Sequence, residues 1–482
     1  MIDLRAPAHV IGLLVTALGA SMVAPMLADL IAGSPNWRSF AEAGFVTMVF
    51  GGLVALASRG ADAAGLDVPQ TFLLTTLTWS VLPAFGALPF LIGAPHVGLA
   101  DAYFEAMSGL TTTGSTVFTG LETLPKGVLL WRGMLQWFGG LGIIVVAMAF
   151  LPAMRIGGMQ FFRSEAFDTM GKIMPRAVEI AASLTWLYVA LTVACALAYA
   201  AAGMSAFDAA VHAMTTVSTG GFANYDASMG HFSGPVEWIA ALFMALAAMP
   251  FIRLVQLARG DARPLLADPQ VRGFLAVIGA VVGALVLHRA LLESAQATES
   301  LREVVFNVIS ILTGTGFASA DYTLWGAFPA AVFFVIGLIG GCTASTSCSI
   351  KIFRYQILLA AIGAQIRRIH SPHGVFTPRY AGRRIEEEVI SSVMAFFFLF
   401  FMTLAVIAVA MGMLGYDTVT AVSGAATALA NVGPGLGPII GPAGNFAPLS
   451  DAAKWLLSVA MLLGRLELLT VFALFTGAFW RR

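Results

Sequence analysis

Ten apolar stretches, each long enough to cross a lipid bilayer, dominate this chain of 482 residues. A hydrocarbon core about 30 Å thick is crossed by a helix of about 20 apolar residues. The stretches lie at about 8–32, 38–58, 71–93, 127–151, 178–203, 234–258, 273–292, 326–350, 389–414 and 451–478. Only 11% of the residues are charged, whereas a typical soluble chain has about 25%. The sequence therefore predicts an all-α polytopic membrane protein without a large soluble domain.

Basic residues predict how these spans are oriented. With the N-terminus placed inside, 19 of the 26 Lys and Arg residues fall on the cytoplasmic side, among them Arg155, Arg163, Lys172, Arg176, Arg481 and Arg482. Six fall outside: Arg38, Lys126, Arg132, Arg289, Arg302 and Lys454. The positive-inside rule then predicts that both termini are cytoplasmic. Acidic residues balance the basic ones at 26 each, so the net charge does not indicate a nucleic-acid partner.

Four of the outer loops share one pattern. Each holds an apolar segment too short to span the membrane, which starts at an acidic residue and ends in a cluster of small residues. The acidic residues are Asp101, Asp208, Glu303 and Asp417, and the clusters contain Gly114, Gly221, Gly316 and Gly433. The acidic residue precedes its glycine by 13 residues in three loops and by 16 in the fourth. The pattern predicts four helix–pore-helix–loop–helix repeats, with the acidic residue capping each short helix.

These repeats divide the chain into two N-terminal transmembrane helices at 1–66 and pore repeats at 67–155, 172–260, 268–368 and 384–482. Non-helical backbone is tolerated at membrane depth only where it lines a protein-enclosed or water-filled cavity. Four such loops can converge on one axis, where carbonyl oxygens replace the hydration shell of an ion. The clusters contain no charged side chain, so we expect a pseudo-fourfold pore for a large monovalent cation. For a single loop, close packing of small residues is the alternative.

Two further features indicate the inner half of the same pathway. The eleven residues from Ile339 to Ser349 are mostly small or polar and interrupt the eighth span; beneath a filter they would act as a gate, with close helix packing as the alternative. Arg465 lies near the midpoint of the last span, where an arginine needs partners inside the protein. We expect carbonyls of the broken eighth helix to be those partners, because Glu467 is only two residues away and faces another side of the helix. Cys342 and Cys348 are expected to be small packing residues.

The four loops, the repeat and the small-residue segment together resemble the Trk/Ktr superfamily of K⁺ transporters. Two extra N-terminal spans and the runs Asn431–Gly437 and Gly464–Glu467 resemble its TrkH branch in particular, and the resemblance covers essentially the whole chain. It implies a pore-forming subunit for K⁺ uptake across a bacterial inner membrane, commonly a homodimer with one pore in each protomer. It also implies cytosolic TrkA-type partner subunits that bind the nucleotide, so that this chain needs no cofactor of its own.

By the same resemblance, the selectivity filter consists of three residues from each loop: Thr112, Thr113, Gly114, Thr219, Gly220, Gly221, Gly314, Thr315, Gly316, Asn431, Val432 and Gly433. The gate is an intramembrane loop from Gly340 to Ser349, with Arg465 opposing it. Its assigned loop residues are Gly340, Gly341, Cys342, Thr343, Ala344, Ser345, Thr346 and Ser347. The chain departs from the family where Ser347, Cys348 and Ser349 replace the usual glycines.

Two other functional classes share some of these features. A Na⁺- or H⁺-coupled symporter would use broken helices around a midplane site, but such sites usually come from inverted repeats with ionisable coupling residues. An intramembrane enzyme would need a buried acid–base or nucleophile pair, which the sequence does not indicate. Three acids just outside the clusters, Glu122, Asp226 and Asp321, are instead expected to attract cations to an outer vestibule. The sequence leaves open whether uptake occurs through a channel or by coupled symport.

Overall fold

The computed structural model describes residues 3–60, 67–149, 177–232, 234–292 and 297–480, and helices dominate them. The first eleven helices are α1 (Arg5–Ser21), α2 (Val23–Ile31), α3 (Trp37–Ala57), α4 (Val68–Gly86), α5 (Leu88–Ile92), α6 (Leu99–Leu110), α7 (Lys126–Ala149), α8 (Ala177–Ala201), α9 (Ala206–Val217), α10 (Pro235–Ala247) and α11 (Phe251–Ala258). The remainder are α12 (Arg263–Ala267), α13 (Pro269–Leu292), α14 (Ala297–Leu312), α15 (Ala327–Gly337), α16 (Ile352–His370), α17 (Glu387–Met413), α18 (Thr418–Ala430), α19 (Gly437–Ile440), α20 (Asp451–Arg465), α21 (Leu469–Leu474) and α22 (Gly477–Trp480). The predicted helical fold class is confirmed.

Two very short strand pairs act as ties between loop ends. β1 (Ile339–Gly340) pairs in parallel with β2 (Ile350–Lys351), and β3 (Arg379–Tyr380) pairs antiparallel with β4 (Arg383–Arg384). The first pair closes the base of the small-residue segment between α15 and α16. That segment is therefore a loop whose two ends lie side by side.

Six continuous stretches in the described part of the chain are long and apolar enough to cross a membrane, and the bent pair α10–α11 is a seventh candidate. The six are Arg5–Ile31, Trp37–Ala57, Val68–Ile92, Ala181–Ala201, Pro269–Leu291 and Glu387–Met413. On α3, the side chains of Phe45, Leu53 and Leu56 are more than half exposed, as hydrocarbon-facing side chains are. The chain is thus a multi-pass membrane protein. The fourth predicted span corresponds to the 24-residue helix α7.

The sixth predicted span, 234–258, is not one helix. Helices α10 and α11 meet at an angle of 105°, with the turn at residues 248–250. Pro250 has no N–H for the helical ladder, and its ring disfavours helical backbone at the preceding residue. The prediction of one continuous helix was wrong because it treated an apolar stretch as uninterrupted across this proline; the bent pair remains a candidate span.

The eighth and tenth predicted spans are interrupted as well. Helix α15 ends at Gly337 and helical structure resumes only at Ile352, so the predicted interruption is present. Helix α20 ends at Arg465, and the following Glu467 and Leu468 have φ angles of 62° and 28°. These positive angles are unfavourable for side-chain-bearing residues, and they end the helix in the middle of the predicted span 451–478.

The helices α6, α9, α14 and α18 lie at the four places where the sequence predicts pore helices. The N-terminal helices α1 and α3 pack against each other through glycines, because a Cβ on Gly12 or Gly51 would lie 2.6 Å from a backbone nitrogen of the other helix. Six predicted cytoplasmic residues lie outside the described residues: Arg155, Arg163, Lys172, Arg176, Arg481 and Arg482.

Candidate ion pathway

The four short helices end in the same backbone motif. In each loop, the residue before the last predicted filter glycine donates its N–H to the carbonyl five residues earlier. These bonds are Thr113 to Ser108 (2.8 Å), Gly220 to Thr215 (2.8 Å), Thr315 to Ser310 (2.9 Å) and Val432 to Thr427 (3.0 Å). A second bond, spanning three residues, precedes each of them. This Schellman arrangement satisfies carbonyls that a helix end leaves free, so all four loops start from one geometry although their sequences differ.

Left-handed backbone recurs at the first and third predicted filter residue of every loop. The φ angles are 52° at Thr112, 88° at Gly114, 51° at Thr219, 77° at Gly221, 74° at Gly314, 80° at Gly316, 53° at Asn431 and 110° at Gly433. Glycine and asparagine adopt such angles at little cost, whereas a β-branched residue is strained there. Thr112 and Thr219 are fully buried, so the surrounding structure holds both in this conformation.

The loop glycines bring the four loops together in a closed ring. A Cβ placed on any of these glycines would lie close to the carbonyl oxygen of the residue that precedes the glycine in the next loop. The pairs are Gly114 with Gly220 (2.4 Å), Gly221 with Thr315 (1.9 Å), Gly316 with Val432 (1.9 Å) and Gly433 with Thr113 (2.9 Å). The series returns from the fourth loop to the first. The first three distances leave no room for any side chain, because real Cβ atoms do not approach other atoms so closely.

A cavity of about 190 Å³ lies against this ring. Its lining includes the four glycines Gly114, Gly221, Gly316 and Gly433. Of the three acids expected at an outer vestibule, Asp226 alone lines this cavity. Its carboxylate accepts the backbone N–H groups of Gly120 (2.7 Å) and Leu121 (3.0 Å), so it also ties two outer loops together. Asp321 instead accepts the N–H of Thr323 (3.0 Å) and caps a 3₁₀ turn.

Helix α7 holds the first loop through Arg132. This residue is 1% exposed; its Nε donates to Glu105 Oε1 (2.8 Å) and its Nη1 donates to the Ala223 carbonyl (2.8 Å). Glu105 in turn accepts the N–H of Val117 (2.9 Å). Arg132 is predicted to lie on the outer side of the membrane; the structure does not test that side, but it shows that the guanidinium is buried between two loops and not exposed at a surface.

One turn further along α7, Gln136 holds the second loop. Its Nε2 donates to the Gly220 carbonyl (2.5 Å), and its Oε1 accepts the N–H of Phe222 (3.0 Å). The side chain is fully buried. Sequence reasoning missed Gln136, although a polar residue inside a membrane span is itself a signal of function.

The acidic residues at the starts of the four segments do not share one role. Asp417 caps α18 by accepting the N–H groups of Val419 and Thr420 (both 3.0 Å). In α9 the cap is Ser205, while Asp208 accepts from the amide of Asn224 (2.8 Å). The other two form ion pairs: Asp101 with Lys454 (2.5 Å) and Glu303 with Arg289 (2.9 Å). Only Asp417 caps its helix as predicted. Asp101 and Asp208 lie in the first turn of α6 and α9, where a negative charge complements the positive end of the helix, as also expected.

The segment from Gly340 to Ser349 is anchored in the break between α10 and α11. The N–H of Cys342 donates to the Ala248 carbonyl (2.9 Å), and the N–H of Phe251 donates to the Ala344 carbonyl (3.0 Å). Thr346 donates to the Ala247 carbonyl through its hydroxyl (3.0 Å). Each broken helix therefore satisfies peptide groups that the other leaves free.

The last three residues of the segment, Ser347, Cys348 and Ser349, all contact the predicted pore helices and loops or Arg465. Ser347 donates from Oγ to the Thr313 carbonyl (2.6 Å). Ser349 donates to the Ala430 carbonyl from its N–H (2.9 Å) and its hydroxyl (3.0 Å). The Sγ of Cys348 lies 3.5 Å from the hydroxyl of Thr112. The end of the segment is thus bonded directly to the ends of the pore helices.

Arg465 is buried against the same segment. Its Nη1 donates to Cys348 Sγ and its Nη2 donates to the Gly139 carbonyl of α7 (3.1 Å), and its guanidinium lies 5.5 Å from the Trp79 ring. The expectation that carbonyls of the broken eighth helix would hold Arg465 is therefore wrong, because the segment contributes a thiol and α7 contributes the carbonyl. Cys348 likewise does more than fill space.

Two further cations lie beside this arginine, and sequence reasoning did not place them there. Lys351 donates from Nζ to the Ser347 carbonyl. Arg354 is fully buried, pairs with Glu467 and lies 3.8 Å from the centre of the Phe396 ring. Glu467 is therefore the partner of Arg354, in agreement with the prediction that it does not pair with Arg465.

A small cavity of about 40 Å³ separates the segment from the end of α20. It is lined by Ile143, Thr343, Ala344, Ser345, Ser347, Cys348, Ser349, Lys351, Asn431, Gly464, Arg465 and Glu467. Of the predicted gate residues, Gly340, Gly341, Cys342 and Thr346 lie away from this cavity. Asn431 belongs to both regions, because it is a predicted filter residue that also lines the cavity.

Comparisons with known proteins agree with this architecture. The family model of TrkH, described as a cation transport protein, matches residues 37–482. The chain is 44% identical over 475 residues to the Trk system potassium uptake protein TrkI of Halomonas elongata, covering 98% of this chain and 96% of that protein. It is 36% identical over 484 residues to the Trk system potassium uptake protein TrkH of Escherichia coli K12, covering 99% of both.

A solved structure is similar over its full length. The crystal structure of the potassium transporter TrkH from Vibrio parahaemolyticus superimposes with a TM-score of 0.92 at 34% sequence identity, covering 100% of both chains. The named relatives are transport proteins and not enzymes. This chain belongs to the TrkH family of cation transport proteins.

Proposed function

We propose that this chain takes up K⁺ across a bacterial inner membrane through a gated, carbonyl-lined filter, as the pore-forming subunit of a Trk-type system. One observation carries the proposal: the closed ring formed by Gly114, Gly221, Gly316 and Gly433 with the carbonyls of the neighbouring loops. Four polypeptide loops that meet at one centre without a charged side chain offer only backbone dipoles and hydroxyls to an ion. Such dipoles suit a cation that gives up its hydration shell at low cost, as K⁺ does.

The inner side supplies a gate in this proposal. The segment from Gly340 to Ser349 and Arg465 close the path below the filter, and Cys348 joins them. A buried guanidinium opposes the passage of a cation by charge repulsion. Opening requires that Arg465 and the segment separate.

Partners and placement follow the family resemblance. We propose a homodimer with one pore in each protomer and both termini in the cytoplasm, regulated by cytosolic TrkA-type subunits. In this arrangement the nucleotide binds to the partner subunit, and this chain carries only the transported K⁺.

Growth and tracer uptake test the function. The chain is expressed in a bacterial strain that lacks its own K⁺ uptake systems, and ⁸⁶Rb⁺ uptake is measured at low external K⁺ with and without a TrkA-type subunit. The proposal expects uptake that restores growth and increases with the partner. Absence of uptake from a chain that reaches the membrane at normal abundance would overturn it. Single-channel recording of the purified protein then separates a channel, which gives unitary currents, from a coupled symporter, which does not.

A further inference from the structure

The four carbonyls that form the ring are not equivalent. They belong to Thr113, Gly220, Thr315 and Val432. Of these four carbonyls, only that of Gly220 accepts a hydrogen bond from a described residue, and its donor is Gln136 Nε2 at 2.5 Å. The other three have no donor in the described part of the chain and remain free to face an ion.

The side-chain amide of Gln136 forms hydrogen bonds with the backbone on both sides of Gly221. It donates to the carbonyl before this glycine and accepts from the N–H after it, as a neighbouring β-strand would. Gly220 is matched to this contact, because a Cβ on it would lie 2.4 Å from Gln136 Cδ. The tie joins two repeats, since α7 follows the first loop whereas Gly220 belongs to the second.

We propose that Gln136 is a positioning residue that sets the ion selectivity of the pathway by restraining and weakening one carbonyl ligand. This inference rests on the proposed function of the ring. A donor on a carbonyl draws electron density away from the ion and lowers the field that the oxygen presents. A weaker field favours the larger, more easily dehydrated K⁺ over Na⁺. The bond also fixes the position of the second loop.

Two variants remove the donor in different ways. Gln136→Met keeps an unbranched side chain of similar length but has no amide. Gln136→Glu keeps an oxygen that accepts from Phe222 but loses the group that donates to Gly220. Gln136→Met leaves the Gly220 carbonyl without a donor, and Gln136→Glu does so at a pH at which its carboxyl group is ionised, because a protonated carboxylic acid donates through its O–H. Under those conditions we expect the K⁺ to Na⁺ permeability ratio to fall by about two- to tenfold, the range that one hydrogen bond supports.

A neighbouring residue provides the matched control. Trp137 on the same helix donates from its indole to Thr192 Oγ1 (3.1 Å), away from the ring. Trp137→Phe loses one hydrogen bond of α7 without touching a filter loop. We expect it to keep the wild-type permeability ratio.

The experiment measures Rb⁺ and Na⁺ fluxes through the wild type and the three variants, purified as full chains and reconstituted in liposomes. A lower ratio in both Gln136 variants, with Trp137→Phe unchanged, supports the proposal. An unchanged ratio in the Gln136 variants, with both fluxes reduced in proportion or not at all, overturns it and leaves the proposed function standing. If the wild type itself conducts no Rb⁺, the proposed function fails first. Gln136→Glu differs by one group from the wild type, which guards against a folding defect as the cause.

Discussion

Arg465 donates a hydrogen bond to Cys348, across 117 residues of sequence, and this contact joins the end of α20 to the intramembrane segment. The thiol also lies 3.5 Å from the hydroxyl of Thr112 in the first pore loop. The Cys348 side chain therefore contacts both the predicted filter residue Thr112 and Arg465. A glycine at position 348 would have no side chain to make either contact.

Removing the arginine is expected to increase transport. Arg465→Ala eliminates a buried positive charge below the ring, and we expect the Rb⁺ flux of reconstituted protein to rise by about tenfold, since each ~1.4 kcal/mol taken off a barrier is a factor of about ten. Arg38→Ala, in the first turn of α3, is the control and should leave flux unchanged. Equal flux in Arg465→Ala and wild type removes the arginine from the gate.

The ring does not tolerate a methyl group. Gly221→Ala would place its Cβ 1.9 Å from the Thr315 carbonyl oxygen, at a positive φ that alanine disfavours. We expect K⁺ uptake to be lost while the protein still reaches the membrane. Gly279→Ala on α13 is the matched control, because no atom lies within 4 Å of the place that its Cβ would take, and it should transport normally. Normal uptake by Gly221→Ala would show that ions do not pass this ring.

The ion pair between Arg354 and Glu467 should matter for stability. Glu467→Gln removes the carboxylate that pairs with the fully buried Arg354, and breaking a buried pair costs about 3–5 kcal/mol. We expect a clear drop in the midpoint of thermal unfolding in detergent. The double variant Arg354→Met with Glu467→Gln should recover part of the loss, because both charges of this pair are then removed together. A midpoint equal to that of the wild type for Glu467→Gln would contradict a buried pair.

The N-cap of α18 is expected to contribute less to the stability of the protein than the buried ion pair does. Asp417→Ala removes the acceptor for the N–H groups of Val419 and Thr420 and is expected to lower the midpoint of thermal unfolding slightly. Asp417→Asn keeps an acceptor oxygen and should lose much less. Thermal unfolding of the two variants side by side measures the difference, and equal midpoints would argue against capping by this side chain.

Local pattern was enough to locate the four loops that follow the short helices, because each glycine comes three or four residues after the end of its own helix. The breaks were harder to locate: Pro250 was visible in the sequence, whereas the end of α20 at Arg465 depends on the left-handed residues that follow. The partners of Arg465 could not be predicted, since Gly139 lies 326 residues away. The role of Gln136 could not be predicted either, because it depends on how α7 packs against the loop that contains Gly220.

The most direct test of the account is to locate the ion. Crystals of the full chain grown in Rb⁺ allow the ion to be placed by anomalous scattering. The account predicts Rb⁺ density at the centre of the ring formed by the carbonyls of Thr113, Gly220, Thr315 and Val432. Density confined to other sites, with none inside the ring at saturating Rb⁺, would contradict it.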